Sequence, residues 1–568
     1  MSDFKLARDV DDDIEDAQDT VSSTQAFTKI ANADAGGEDG QLRTKRSSVT
    51  TDGKEVTELV GDDAIGEEGT QAPPAAVITS PTRSEASPSS SPRLSEAVKE
   101  ERWKARKKHI FILTSAGRPV FTRWGEETDF AELFGVLQIL VSMASSSQMI
   151  LGGDANARDS LRRVTLGSGQ AMYFLTEGEL QYVMVTRTRE SPASCLRQLR
   201  LIHHQLLAVL PTVSSVLQRS PSYDVRRMFN HGDINVMRSL IRRLNNEPGF
   251  IFRSLQPLGM PLGVREEVSE TLRLCSGGDN HMWTLLLYGS YVVSLVAPED
   301  HTLHADDLLL VINFAQVVCN AQGQVWAPIC LPRFNTSGYL WCFAARVEEI
   351  VTELRGGAAS PPASGNHNNS SLGVAPRVAA GQTPPKLILV QLATNQESFP
   401  ALRQSASASV QGLTEEGVDQ VQQIQQCALT TPLPIDLSVL GPCANDLLFF
   451  MFISSSAQLV SSQLPPQLAN SKSERKALYR TLLKIRDVAQ RSRAKEPVLI
   501  YQAANYTLAL ELSPAGGNVG GATFKKTELY MVFLPCADQQ VIPICGAAIL
   551  KWLKTQETKS FMTKAVHW

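Results

Sequence analysis

No two of the nine cysteines in this chain form a C-x-x-C pair, and most, among them Cys195, Cys319, Cys342 and Cys545, sit inside apolar runs. The spacing excludes a zinc ribbon or a thioredoxin-like redox motif, and an odd count without a secretory leader predicts reduced cytosolic thiols. The opening residues, MSDFKLARDVDDDIEDAQ, are acidic where a signal peptide needs a basic start and an apolar core, so export is not expected. Long hydrophobic runs are also missing. The longest, near LLLVINFAQVVC (308–319), falls short of the ~18 residues of a spanning helix, which leaves peripheral membrane contact at most. There is no G-x-S-x-G, no H-E-x-x-H and no kinase signature, and LGSGQ (166–170) lacks the Lys-Ser/Thr of a phosphate loop. Neither an independent hydrolase or transferase, nor a cofactor, is expected. An isoelectric point near 6.2 and the lack of a recognition motif argue against nucleic acid.

What is present is unevenly charged. Residues 1–100 carry 21 Asp and Glu against 10 Lys and Arg, so of the net −4 this part holds −11 and the rest +7. Residues 1–104 read as a disordered acidic tail, since their composition buries too little apolar surface to offset chain entropy. Ser80, Ser87 and Ser91, each before proline, are either proline-directed phosphosites or part of a plain solvated linker. A second low-complexity stretch, 355–386, reads as a flexible insertion.

The remainder repeats one pattern three times. Each unit opens with a hairpin, HIFILTSAGRPVFTRW (109–124), MWTLLLYGSYVVSLVAP (282–298) and LLFFMFISSSAQLVSSQLP (447–465), continues with a helix, adds about three strands and closes with a helix. That is an α+β plan of three five-stranded antiparallel sheets flanked by helices, with units over 105–245, 275–430 and 440–568. The segment HTLHADD (301–307) resembles a metal site, but without a partner segment it reads better as a helix cap by Asp306 or Asp307, and no metal is expected. In VWAPICLP and GYLWCFAARV (325–347), Cys330, Trp341 and Cys342 read as core; Trp326, beside prolines at a strand start, can stay exposed.

Two helices carry more information. In the first unit Phe130, Leu133, Phe134, Leu137, Leu140, Val141 and Ala144 form one apolar stripe, while Val136, Ile139 and Met143 form a second. A helix apolar almost all round needs cover on both sides, either from another unit of this chain or from a partner subunit. In the third unit, 472–495 holds nine Lys and Arg, including Lys476, Arg480, Lys484, Arg486, Arg491 and Arg493, against Glu474 and Asp487. That local +7 is a solvated face or, at about 1 kcal/mol per basic residue, a surface for anionic lipid.

Four collinear blocks, KKHIFILTSAGRPVFTRWGEE (107–127), SPSYDVRRMF (220–229), LVAPEDHTLHADDLLLVINF (295–314) and WAPICLPRFNTSGYL (326–340), resemble the Mon family of vacuolar fusion proteins. The resemblance implies three longin domains and a heterodimer with a Ccz-type subunit. It further implies guanine-nucleotide exchange on a Rab-seven-type GTPase, with recruitment by a Rab-five-type GTPase and anionic phosphoinositide membranes at the late endosome and vacuole. Carried onto this sequence, it places the exchange surface on the turn Ala116-Gly117-Arg118-Pro119 with Gly135, Gln138 and Ile139. It places the partner interface on Val136, Ile139 and Met143, recruitment on Trp326, and membrane contact on the basic helix. The alternatives are a related exchange subunit for Rabs of lysosome-related organelles, or a Rab-binding scaffold without exchange activity.

Overall fold

The computed structural model describes residues 101–567 except 102, 126–130, 151–160, 168, 277–279, 300, 337, 356–385, 416–419, 430–439, 441–444, 493–497, 514–526 and 563–565. Almost all of the tail, most of the 355–386 insertion, Phe130 and Arg493 lie outside the described residues. Packing begins at Trp103, which is buried with its ring 4.1 Å from that of His109.

The first sheet contains β1 (Lys108–Thr114) and β2 (Pro119–Thr122), followed by helix α1 (Ala131–Ile150) and strands β3 (Arg163–Thr165), β4 (Ala171–Glu177) and β5 (Leu180–Thr186). Its order is β2-β1-β5-β4-β3, antiparallel throughout. Helix α2 (Pro192–Val209) closes it; Ser191 caps this helix by accepting from the Ser194 N–H, and Pro192 gives up no bond in the first turn. Helices α3 (His231–Asn246) and α4 (Leu262–Cys275) lead to the second unit, with the two-residue strand β6 (Gln256–Pro257) between them.

The second unit comprises β7 (His281–Tyr288), β8 (Tyr291–Ala297), α5 (Ala305–Gln322), β9 (Gln324–Ile329), β10 (Leu340–Arg346), α6 (Val347–Leu354), β11 (Leu387–Ala393), α7 (Phe399–Leu413) and α8 (Gln420–Leu429). The third comprises β12 (Leu447–Ile453), β13 (Leu459–Ser461), α9 (Lys472–Ser492), β14 (Val498–Gln502), β15 (Thr507–Ser513), β16 (Thr527–Phe533) and α10 (Val541–Thr555), followed by β17 (Val566–His567). Both repeat the order of the first sheet, as β8-β7-β11-β10-β9 and β13-β12-β16-β15-β14. The second sheet is wider than the expected five strands, because β6 and β17 both add to it in parallel beside β8.

The units share cores across their boundaries. One apolar cluster runs from Ile110 and Tyr182 through Leu199 on α2 and Leu240 on α3 to Leu308 on α5 and Leu392 on β11, so the first and second units are packed as one body. The third unit joins through main chain: Leu255 N–H donates to the Ala457 carbonyl at 2.8 Å, and Leu459 N–H donates to that of Leu255 at 2.7 Å. No helix among the described residues is long and apolar enough to cross a membrane.

The loop HTLHADD holds no metal-binding cluster among the described residues. The cap of α5 is also not the expected aspartate, since the His304 side chain accepts from the Asp306 N–H. Both aspartates lie within the first turn of the helix and are occupied elsewhere. Arg253 pairs with Asp306, while Asp307 accepts the N–H groups of Arg333 at 3.1 Å and Phe334 at 2.8 Å. Asp307 therefore fixes the turn that joins β9 to β10. Burial pushes its carboxyl up from 3.8 to about 6, against the pull of those two N–H groups. The folded state then binds the proton more tightly than the unfolded chain, so the contribution of Asp307 to stability is largest below the ordinary value and falls as pH rises through about 6. Denaturant unfolding across that window should show the fall, on the order of 2–3 kcal/mol, and Asp307→Asn should flatten it.

Candidate docking surface on the first domain

The turn between β1 and β2 and the outer face of α1 form one surface. Gly117 has φ +76, the left-handed conformation that glycine adopts without strain, and its N–H donates to the Thr114 carbonyl at 2.9 Å. The Arg118 N–H donates to Thr114 Oγ1 at 3.1 Å, and Pro119 stands opposite Leu113 on β1. Arg118 is thus held at the tip with its side chain exposed. Gln138 of α1 locks the helix to this turn, its Nε2 donating to the Ser115 carbonyl at 2.5 Å. A Cβ at Gly117 would lie 3.6 Å from the Gln138 side chain. Glu179, from the turn before β5, accepts from the Ser115 hydroxyl and fastens the other side; local sequence gives no sign of it, because the pair is 64 residues apart.

Helix α1 divides along its two stripes over its first turns, while Leu140, Val141 and Ala144 of the first stripe are only half-buried. Leu133, Phe134 and Leu137 are buried against the sheet, with the Phe134 ring edge-on to Phe111 at 5.8 Å. On the other side Val136 is 37% exposed, Ile139 59% and Met143 62%, so no described unit of this chain covers them. Gly135 is exposed too, with nothing within 4 Å of a built Cβ, which leaves room for close backbone approach. Arg118, Pro119, Gly135, Gln138 and Ile139 therefore lie together, with Val136 and Met143 continuing the same face along the helix.

Trp326 lies elsewhere, on β9, which pairs only with β10 among the described residues and so forms an edge of the second sheet. It is half-buried, not standing clear as expected, because its ring stacks on Trp341 at 5.4 Å and 25° and meets Phe399 at 5.5 Å. Cys330 and Cys342 are buried as the sequence suggests, whereas Trp341 is only half-buried.

The basic helix requires a correction. Lys476 is buried, and Arg480 turns to Glu190 of the first unit, Nε to Oε1 at 3.5 Å. Lys484 is partly buried, which lowers its pKa against the pull of Glu190. Arg486 pairs with Glu528 at 3.0 Å, and Arg491, though exposed, donates to the Asp487 carbonyl. Lys476, Arg480, Lys484 and Arg486 are therefore engaged within the protein, Arg480 across the boundary to the first unit and Arg486 inside the third, and are not displayed to a bilayer as a continuous face. A count along one segment misses Glu190, in the connection before α2, and Glu528, at the start of β16, both outside that segment.

Glu190 is the centre of that packing. Lys108 reaches it at 2.6 Å and also donates to Gln198 at 3.0 Å and Asn245 at 3.1 Å. Burial alone would raise its carboxyl, but Lys108 and Arg480 outweigh that and hold it down at about 2. Beside it, Asp487 of α9 pairs with Arg197 of α2 at 2.7 Å and accepts from the Ser191 hydroxyl.

Comparison with known proteins agrees with this architecture. A family described as the first longin domain of FUZ, MON1 and HPS1 matches residues 108–236, and one described as the second longin domain of the same three proteins matches 279–358. Residues 108–236 and 279–358 thus match longin domains of the FUZ, MON1 and HPS1 type, and the third sheet repeats their strand order. Within that type its similarity is to the Mon proteins, as the four blocks imply. It is 26% identical over 477 residues to Protein SAND of Takifugu rubripes, covering 82% of this chain and 78% of the relative. Vacuolar fusion protein MON1 homolog A of Gallus gallus is 30% identical over 262 residues, 46% of this chain and 45% of its own length. The Homo sapiens homolog A is 24% identical over 465 residues, 81% and 62%.

Proposed function

We propose that this chain is one subunit of a heterodimeric guanine-nucleotide exchange factor for a Rab-seven-type GTPase, acting peripherally at late-endosomal and vacuolar membranes in endosome maturation, fusion and autophagosome delivery. The observation that carries this reading is the exposed stripe Val136, Ile139 and Met143 beside the Gly117-Arg118-Pro119 tip. Isolated exposed apolar side chains are ordinary; a row of them along one helix, next to an exposed backbone glycine, suits a protein partner. A Ccz-type longin subunit would cover Val136 and Met143, leaving the tip, Gly135 and Gln138 at the seam where the GTPase enters. Exchange needs no covalent step. A surface that binds the nucleotide-free GTPase better than the loaded one lowers the barrier to release by that difference in affinity. Recruitment by a Rab-five-type GTPase has its docking candidate in Trp326 on the open edge of the second sheet, and anionic phosphoinositides supply the membrane term.

The test is release of fluorescent GDP from a Rab-seven-type GTPase, with this chain alone and with its Ccz-type partner. Acceleration only with the partner is expected. A stable complex that leaves the release rate unchanged overturns the exchange reading in favour of a Rab-binding scaffold, which shares every surface named above.

A further inference from the structure

Helices α3 and α5 pack side by side, and between them opens a cavity of about 590 Å³. Arg238, Arg242 and Arg243 line it with His231, Gln316 and Asn320, and no Asp or Glu is among its lining residues. Arg243 forms the floor, held from behind by the Glu247 carboxylate at 3.0 Å and the Ser290 hydroxyl at 2.8 Å. Its guanidinium pKa is lowered by burial, against the pull of Glu247 and with the push of Arg242. Neither Arg238 nor Arg242 makes an ion pair or side-chain hydrogen bond among the described residues. They stand four apart on α3, where like charges repel one another. Arg242 is exposed and Arg238 half-buried, so both guanidiniums can be reached by a solute that enters the cleft, while Arg243 beneath them is buried.

We propose that this cleft binds a compact ligand bearing two or more phosphate groups, gripped by Arg238 and Arg242 over the floor formed by Arg243. The volume lies within the roughly 300–1,000 Å³ of small-molecule sites, which fits a discrete phosphorylated headgroup. Guanidinium forks match phosphate oxygens two at a time, and the amides of Gln316 and Asn320 can donate to those that remain. A soluble inositol polyphosphate and a phosphoinositide headgroup share this chemistry. The site lies on different helices from the exchange surface and does not depend on the exchange reading; the lipid outcome alone rests on the phosphoinositide contact of the proposed function and would give it a location.

The experiment uses the full chain in its native assembly, titrated with inositol hexakisphosphate by calorimetry and, separately, with phosphatidylcholine vesicles with or without a phosphatidylinositol bisphosphate. Binding to either probe is expected, and Arg238→Gln with Arg242→Gln should weaken it at least about tenfold, the scale of one or two charge-assisted hydrogen bonds. Asn320→Asp, which places a carboxylate at the exposed rim, should weaken it without touching either arginine. Binding of the soluble probe assigns a free polyphosphate as sufficient; binding only to the bisphosphate vesicles assigns the lipid. Failure to bind either probe overturns the proposal, as does binding that neither set of substitutions changes.

Discussion

Ile139→Asp should abolish co-purification with the Ccz-type partner and with it the partner-dependent release of GDP, while the chain itself remains folded. Ile139 is 59% exposed, so a carboxylate there meets water in the isolated chain and costs the fold little. Once a partner covers the helix, the same carboxylate is buried against apolar surface with no cation among the stripe residues. Central interface positions of this kind carry about 2–4 kcal/mol, a loss of affinity of roughly 30- to 700-fold. Met143→Asp, further along the helix, should behave similarly. Arg118→Ala should behave differently, because the side chain at the hairpin tip belongs to the proposed GTPase seam; it should slow release and leave the heterodimer intact. Gel filtration of the complex and the release assay together separate the two roles. If Ile139→Asp leaves the heterodimer intact, the stripe is not the partner interface.

Glu190→Ala is expected to destabilise the protein by about 3–5 kcal/mol, measured by denaturant unfolding near neutral pH. The substitution leaves Lys108, which is 1% exposed, without its 2.6 Å counter-charge, and Arg480 of the third unit without its anchor. Lys108→Met alone should also destabilise, because it strands Glu190. Lys108→Met combined with Glu190→Leu should recover much of the loss, since replacing both members of a buried pair by apolar groups removes the unpaired charge. The depressed carboxyl fixes the pH sense. The contribution of Glu190 is complete above its ordinary 4.5 and disappears as pH falls toward about 2, so the gap between wild type and variant should narrow on acidification.

The order of elements was legible because a hairpin followed by an amphipathic helix is a local pattern, and three copies of it reinforce one another. The second stripe of α1 was legible for the same reason, since helical spacing alone separates Val136, Ile139 and Met143 from Leu133, Phe134 and Leu137. Other features depend on partners distant in sequence. The cations of α9 read as a surface until Glu190 and Glu528 are brought against them. His304 displaced the aspartates as cap because Arg253 and the Arg333-Phe334 turn claim Asp306 and Asp307. The repeated pattern predicts one closing helix for each unit, whereas the second unit has two, α7 and α8, after β11. The groove of α3 and α5 is invisible in sequence, because neither helix shows that the arginines of one will face the amides of the other.

The short strand β17 gives the assembly a property that none of the three sheets has alone. By returning from the third unit to lie along β8, it ties the third unit to the second, while α9 ties the third to the first and the common core ties the first to the second. Three bodies joined pairwise on all three sides behave as a braced triangle, in which rotation at one joint must strain the other two. If the proposed exchange function holds, such a frame would give a bound GTPase a stiff support with no hinge within the chain.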